Sequence, residues 1–265
     1  MSRKHPARDR LEQGASISTV AKAYRFLRAV LMTAAEEDKL ISLNPCRIKG
    51  ADNEHTPERP VITVSQVFEL ADRMADRRFR ALILLATFAS LRWGEVIALR
   101  RHDLDLAART VRVREQLVEL DGGEMRLCPV KSKAGRRTIG IPAAIVPTLT
   151  EHLASYVGPD EDAFVFLGKN SGFLRGGNFR RAAKWADALK EMGLMGLHFH
   201  DLRHTGNTLA AQSGASLADL KARMGHDSDR AALIYQHATK DADQRIADAL
   251  SARVEVDMRD RRPSG

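Results

Sequence analysis

The 265-residue sequence has only two cysteines, Cys46 and Cys128, far apart and with no CxxC partner, which speaks against both a disulfide framework and a thiolate metal site. A reducing compartment fits. The longest apolar run, around Ala81–Ala89, is too short and too interrupted to span a bilayer, and the N-terminal MSRKHPARDR lacks the apolar core of a secretory signal. No internal repeat or low-complexity tract is present, so a soluble intracellular protein with one or two ordinary cores is expected. What the chain has instead is positive charge: 42 Lys plus Arg against 34 Asp plus Glu, a net charge of +8 and a pI near 9.8. That balance favours a polyanionic partner, with nucleic acid the leading candidate.

Residues 1–13 are charged and aperiodic. Ser16–Lys39 carries a helical pattern with Val20, Tyr24, Leu27, Val30, Leu31 and Ala34 on one face and Lys22, Arg25 and Arg28 around the other. The polar stretch GADNEHTPERP, 50–60, reads as a linker, which divides the chain into a helical segment at 1–58 and a larger domain at 59–265. Helices are expected at Ser65–Met74, Arg78–Ala89 and Trp93–Arg100, with Leu82, Ile83, Leu85 and Phe88 in the core. Between Arg109 and Pro142 the period changes to alternation, predicting a small antiparallel sheet of three strands with a basic turn at Lys131–Gly135. Helices return at Pro147–Tyr156 and Gly177–Met192, with a short strand at Phe164–Phe166 between them, and a last helix is expected at Asp241–Val254. The fold class is mixed, mainly α with a small antiparallel β-sheet. Tyr24 and Tyr156 read as half-buried tyrosines at the edge of a core.

The densest chemistry lies in His200–Tyr235. Leu202, Leu209 and Ala210 recur at helical spacing, so His200 and Arg203 stand one turn apart and can point into one cleft. Gly214 breaks that helix, Ser216 with Asp219 caps the next, and Gly225 stops it just before His226. A third helix would carry Ala231, Leu233 and Tyr235. A tyrosine oxygen can attack a phosphodiester and hold the strand covalently if fixed cations take the charge on the non-bridging oxygens. Arginine suits that task because its planar fork stays charged. Arg203 is one candidate and Arg92, with Glu95 one turn later, is another. His200 and a lysine of the Lys131–Lys133 turn could move the protons. His198, His200 and His204 could alternatively form a metal cluster, but Arg203 would repel a cation, and no cofactor is expected.

SLRWGEVIALRRHDLDL resembles the first motif of the tyrosine recombinases, the phage integrase family; HDLRHT, with GH nine residues before a tyrosine, resembles the second. PVKSKAGRRTIGIP resembles the hairpin that carries the family's catalytic lysine. The resemblance implies that Arg92 and Arg203 clamp a scissile DNA phosphate, His200 acts as base or acid, His226 bonds a phosphate oxygen, and Tyr235 is the nucleophile. It also implies that Lys131, or Lys133 if the turn is one step longer, protonates the leaving 5′ oxygen, with Glu95 in support. Arg136 and Arg137 then read as contacts to the DNA backbone, as do Lys22, Arg25 and Arg28. TVAKAYRFLRAVLMTAAEEDKLISLNPCR is similar to the second half of the family's core-binding domain; a counterpart of the first half is not found.

Ser90 stands where the family usually has glycine, and is expected to fit a turn that is not strictly left-handed. The implied partners are double-stranded DNA, three further copies of the chain in a tetramer on DNA (a monomer when free), and an accessory bending or excision factor. The implied setting is a bacterial or phage-encoded protein of the cytoplasm. A silent DNA-binding regulator and a type IB topoisomerase-like enzyme are the alternative readings.

Overall fold

A computed structural model describes residues 16–53 and 59–225. Two compact units divide the chain, with the boundary between residues 58 and 59. The first contains one long helix, α1 (Ile17–Glu36), opened by Ser16, whose hydroxyl accepts from the Thr19 N–H at 3.1 Å. The chain then folds back on α1: Asn44 donates to the Arg28 carbonyl at 2.9 Å, and the Tyr24 hydroxyl accepts from the Ile48 N–H at 2.8 Å. Only Ala21 of α1 is fully buried, while Phe26, Leu27 and Val30 are exposed. The apolar face read from the sequence is real as a pattern, but one helix and its tail cannot cover it.

The second unit is built around α3 (Arg78–Phe88), which is buried on every side from Ala81 to Thr87. A helix that is apolar all round belongs at a domain centre, and here α2 (Val64–Asp72), α5 (Val146–Tyr156) and α8 (Phe199–Gln212) pack against it. The cap of α2 is Thr63, with Gln66 closing a capping box, two residues earlier than Ser65 suggested. The helix expected at Trp93–Arg100 is a single turn, α4 (Trp93–Val96). Beyond it Arg100 makes an isolated bridge to Phe164, which is all that exists of the strand expected at 164–166.

The β region forms two small sheets rather than one. β1 (Leu104–Asp105), β2 (Thr110–Val113) and β5 (Arg137–Gly140) are antiparallel in the order β1-β2-β5; β3 (Glu115–Glu119) and β4 (Met125–Pro129) make a separate hairpin. The last strand thus pairs with the first of the alternating segments, Val111 opposite Ile139 and Val113 opposite Arg137. The helix expected at Gly177–Met192 is broken into α6 (Gly176–Ala182) and α7 (Trp185–Glu191) at Lys184, whose φ is +49°. The last helix among the described residues, α9 (Leu217–Met224), has the Ser216–Asp219 capping box and the left-handed Gly225 that the sequence indicated. Tyr156, expected to be half-buried, has 46% of its surface exposed. The segments expected as helices around Tyr235 and at Asp241–Val254 lie outside the described residues.

Two positions set how closely the central helices approach. A Cβ on Gly206 of α8 would collide with the Thr87 carbonyl of α3, so the glycine is what lets α8 lie against the end of α3. The chain leaves α3 through Ser90, whose φ of +54° is left-handed. This corrects the expectation that serine here avoids that conformation. Its buried hydroxyl, moreover, has no hydrogen-bond partner among the described residues.

Two outcomes follow from these contacts. Gly206→Ala should destabilise the protein by about 1–3 kcal/mol through overpacking, read from urea unfolding; an unchanged midpoint would mean that α8 and α3 can part freely. Ser90→Gly should stabilise it by about 1–2 kcal/mol, because a left-handed residue with a Cβ costs that much, and the melting temperature reports the gain.

Candidate active site

The site is assembled where α4, α8, α9 and β5 meet. Its centre is Glu95, whose side chain is 2% exposed. One carboxylate oxygen accepts from the Arg92 guanidinium at 2.7 Å and the other from the Arg92 backbone N–H at 2.9 Å, so the same residue both caps α4 and holds an arginine. Arg137 of β5 grips both oxygens, at 3.1 and 2.9 Å. Arg203 of α8 lies 3.8 Å from the second oxygen. Burial alone would push the Glu95 carboxyl up. The hydrogen bonds and charge of Arg137, then the N–H and charge of Arg92, outweigh it and hold the pKa at about 2. The carboxylate is therefore ionised at any physiological pH, and three guanidinium groups surround one negative charge.

Each arginine is held from behind. Arg203, 3% exposed in its side chain, donates to the Ser90 carbonyl and, at 2.6 Å, to the Met224 carbonyl, linking the exit of α3 to the end of α9. Arg137, 5% exposed, also donates to the carbonyls of Arg223 at 2.8 Å and Gly135 at 3.0 Å. Arg223 itself reaches the Phe88 and Gly140 carbonyls, and burial, then the charge of Arg137, pulls its pKa below the ordinary arginine value. Gly225 sits tightly here, since a Cβ on it would come within 2.9 Å of Arg137 and 3.0 Å of the Ala134 carbonyl. Arg92 is the open member, with 35% of its side chain exposed.

His200 is brought to the same place through its neighbour. Phe199 packs edge-on against Trp93, the residue after Arg92, at 4.8 Å between ring centres. Phe179 and Trp185 complete this aromatic group, which lines a cavity of about 630 Å³ that also touches His198 and His200. The His200 pKa is lowered by dehydration first, then by the charges of Arg59 and Arg203, with Arg92 adding to them and Asp201 opposing. Lowering a pKa of 6.5 leaves the imidazole neutral and able to accept a proton at neutral pH.

The other expected residues are placed unevenly. Lys131 is exposed in the turn between β4 and β5, and Arg136 is exposed two residues before Thr138 on the outward side of β5. Arg137 is not a surface group able to meet a DNA backbone; its guanidinium is committed to Glu95 and two carbonyls. Lys22 and Arg25 are exposed on α1, and Arg28 pairs with Asp52 at 3.4 Å, all within the other unit. The Lys133 side chain, His226 and Tyr235 lie outside the described residues. Among the described residues no group of His, Cys, Asp and Glu could hold a metal ion, and no helix is long and apolar enough to cross a membrane.

Sequence reasoning missed the roles of Arg137, Arg223, Arg59 and Asp201. For Arg137 a signal existed: it shares a strand face with Ile139, which is 2% exposed, so alternation puts the arginine inward.

The model of the phage integrase family matches residues 60–242. The chain belongs to that family. Its relatives include the prophage phiRv2 integrase of Mycobacterium tuberculosis, 38% identical over 233 residues, covering 87% of this chain and 61% of that protein. The integrase of Mycobacterium phage L5 is 33% identical over 261 residues, covering 95% of this chain and 64% of that one. This phage integrase family chain thus spans less than two thirds of the length of those relatives. Its fold matches that of the Tn1549 transposon integrase solved with a circular intermediate DNA, with a TM-score of 0.76 at 23% identity, over 92% of this chain and 83% of that one.

The buried charge cluster makes a specific demand on pH. The folded pKa of about 2 lies below the ordinary 4.5, so ionised Glu95 favours the folded state above pH 4.5, and that contribution disappears as pH falls toward 2. Glu95→Gln should cost about 3–5 kcal/mol at neutral pH, because it leaves Arg137 buried without its partner, and should remove this part of the acid dependence. Urea unfolding of both proteins across that range checks it; parallel pH curves would contradict the assigned role.

Proposed function

We propose that this phage integrase family protein is a site-specific DNA recombinase that cuts and rejoins strands through a covalent 3′-phosphotyrosine. The observation that carries the reading is the convergence of guanidinium groups on Glu95: Arg92, Arg137 and Arg203 gather around one carboxylate, and Arg92 has 35% of its side chain exposed. Such a site is pre-organised for an anion whose charge grows in the transition state. The names of the relatives, integrases and tyrosine recombinases, support the same reaction. The integrases of Tn1549 and lambda were solved on DNA, which supports DNA as the partner.

In this mechanism the Tyr235 phenol oxygen bonds to phosphorus as the bond from phosphorus to the 5′ oxygen breaks. His200, kept neutral by its surroundings, takes the phenol proton, and Lys131 supplies one to the leaving 5′ oxygen. Arg92 takes the non-bridging oxygens directly, Arg203 adds fixed charge from behind, and His226 bonds a phosphate oxygen. Glu95 and Arg137 keep those cations in place. The covalent bond conserves the energy of the phosphodiester, so a 5′ hydroxyl from a partner duplex can reverse the step. Exchange between two duplexes uses four such sites, hence a tetramer assembled on DNA. Arg136, Lys22 and Arg25 would track the DNA backbone.

A DNA substrate carrying a nick beside the cleavage point tests this by trapping the adduct. Wild-type protein should become covalently linked to the strand, Tyr235→Phe should not, and Arg92→Ala should be slower by roughly a hundred- to thousand-fold. Sequence-specific binding that never gives an adduct would replace the enzyme by a DNA-binding regulator.

A further inference from the structure

The segment that opens the second unit is tied to the helix carrying His200. Arg59 donates to an Asp201 carboxylate oxygen at 3.0 Å, and the Ile62 N–H donates to the Thr205 hydroxyl at 3.3 Å. Asp201 is 2% exposed in its side chain and holds the start of α8 with its other oxygen, which accepts from the His198 N–H at 2.7 Å. One carboxylate therefore fastens the first turn of α8 on one side and Arg59 on the other, and His200 lies in that turn. Ile62, 2% exposed, anchors the same segment in the core.

We propose that Arg59 is a positioning residue for His200: by gripping Asp201 it sets the first turn of α8 and with it where the imidazole stands. This rests on the strand-cleavage reading, in which His200 handles the nucleophile's proton. Arg59 also acts through space. The charges facing His200 are Arg59 from this segment, Asp201 and Arg203 from α8, and Arg92 from α4, while His198 and Arg180 share its cavity. Arg59 is the largest charge effect among them and opposes protonation of the ring. Nearly half of the Arg59 side chain is exposed, at 48%, so its substitution leaves no buried cavity.

The test compares Arg59→Gln and Arg59→Lys with wild type in two measurements: single-turnover cleavage of the nicked DNA at saturating protein across acid to mildly alkaline pH, and titration of the His200 ring by NMR without DNA. Arg59→Gln should cut roughly tenfold more slowly at neutral pH, as a misplaced catalytic group does, with the acidic limb of its profile moved to higher pH. Its His200 titration should move up toward the ordinary imidazole value. Arg59→Lys should restore the titration but only part of the rate, since it keeps the charge and loses the fork; if Arg59→Gln does not fold, this variant decides. The proposal is overturned if the variants match wild type in both measurements. It is equally overturned if the only loss is in DNA binding, with the salt dependence reduced by about one ion, because Arg59 would then be a phosphate contact. Should wild type form no adduct, the cleavage reading fails while the ring titration still reports on Arg59.

Discussion

A buried carboxylate shared by arginines is the interaction on which the second unit depends. Glu95 is nearly sealed from water, and a lone carboxylate there would have to take up a proton. Arg137 prevents this with a two-pronged grip. Once the carboxylate is secured as an anion, it can hold Arg92 at the exposed edge of the cluster and sit close to Arg203. The geometry has a direction: Arg137 meets the carboxylate from the buried side, and Arg92 from the exposed side.

The same arginines serve as ties between elements. Arg203 fastens the exit of α3 to the end of α9, Arg223 fastens α9 to α3 and β5, and Arg137 fastens β5 to α4 and α9. Each uses backbone carbonyls at the ends of elements, the groups that helix and strand termini leave unsatisfied. The aromatic group under Trp93 and Phe199 does the corresponding work for His200. Rigid placement of cations and imidazole therefore comes from helix ends and ring contacts, and Gly206 permits it by letting α8 touch α3.

Much of this was legible in the sequence, for identifiable reasons. The run of apolar residues Ala81–Ala86 announces a central helix, Ser216 with Asp219 announces a cap, and Gly225 announces a stop, because each signal is local and complete within a few residues. The pairing of β2 with β5, the single turn at α4 and the break at Lys184 were not legible. They are decided by contacts between residues far apart in the chain. At the site, Arg92, Glu95, His200 and Arg203 stood out by motif. Arg137 reads in the sequence as a surface cation because a basic run such as Arg136-Arg137 looks alike whether a residue points out or in. Arg59 and Asp201 escaped notice because neither carries a signal until the other is beside it.

The spacing of the charged groups along the chain has a consequence for when the cluster can exist. Arg92 and Arg203 are separated by most of the second unit, and β5 and the end of α9 must both arrive before Glu95 and Arg203 have their partners. A nascent or partly unfolded chain consequently owns all the side chains and none of the field they make together. The convergence of these charges is a property of the finished fold, so damage to the fold disperses the cluster.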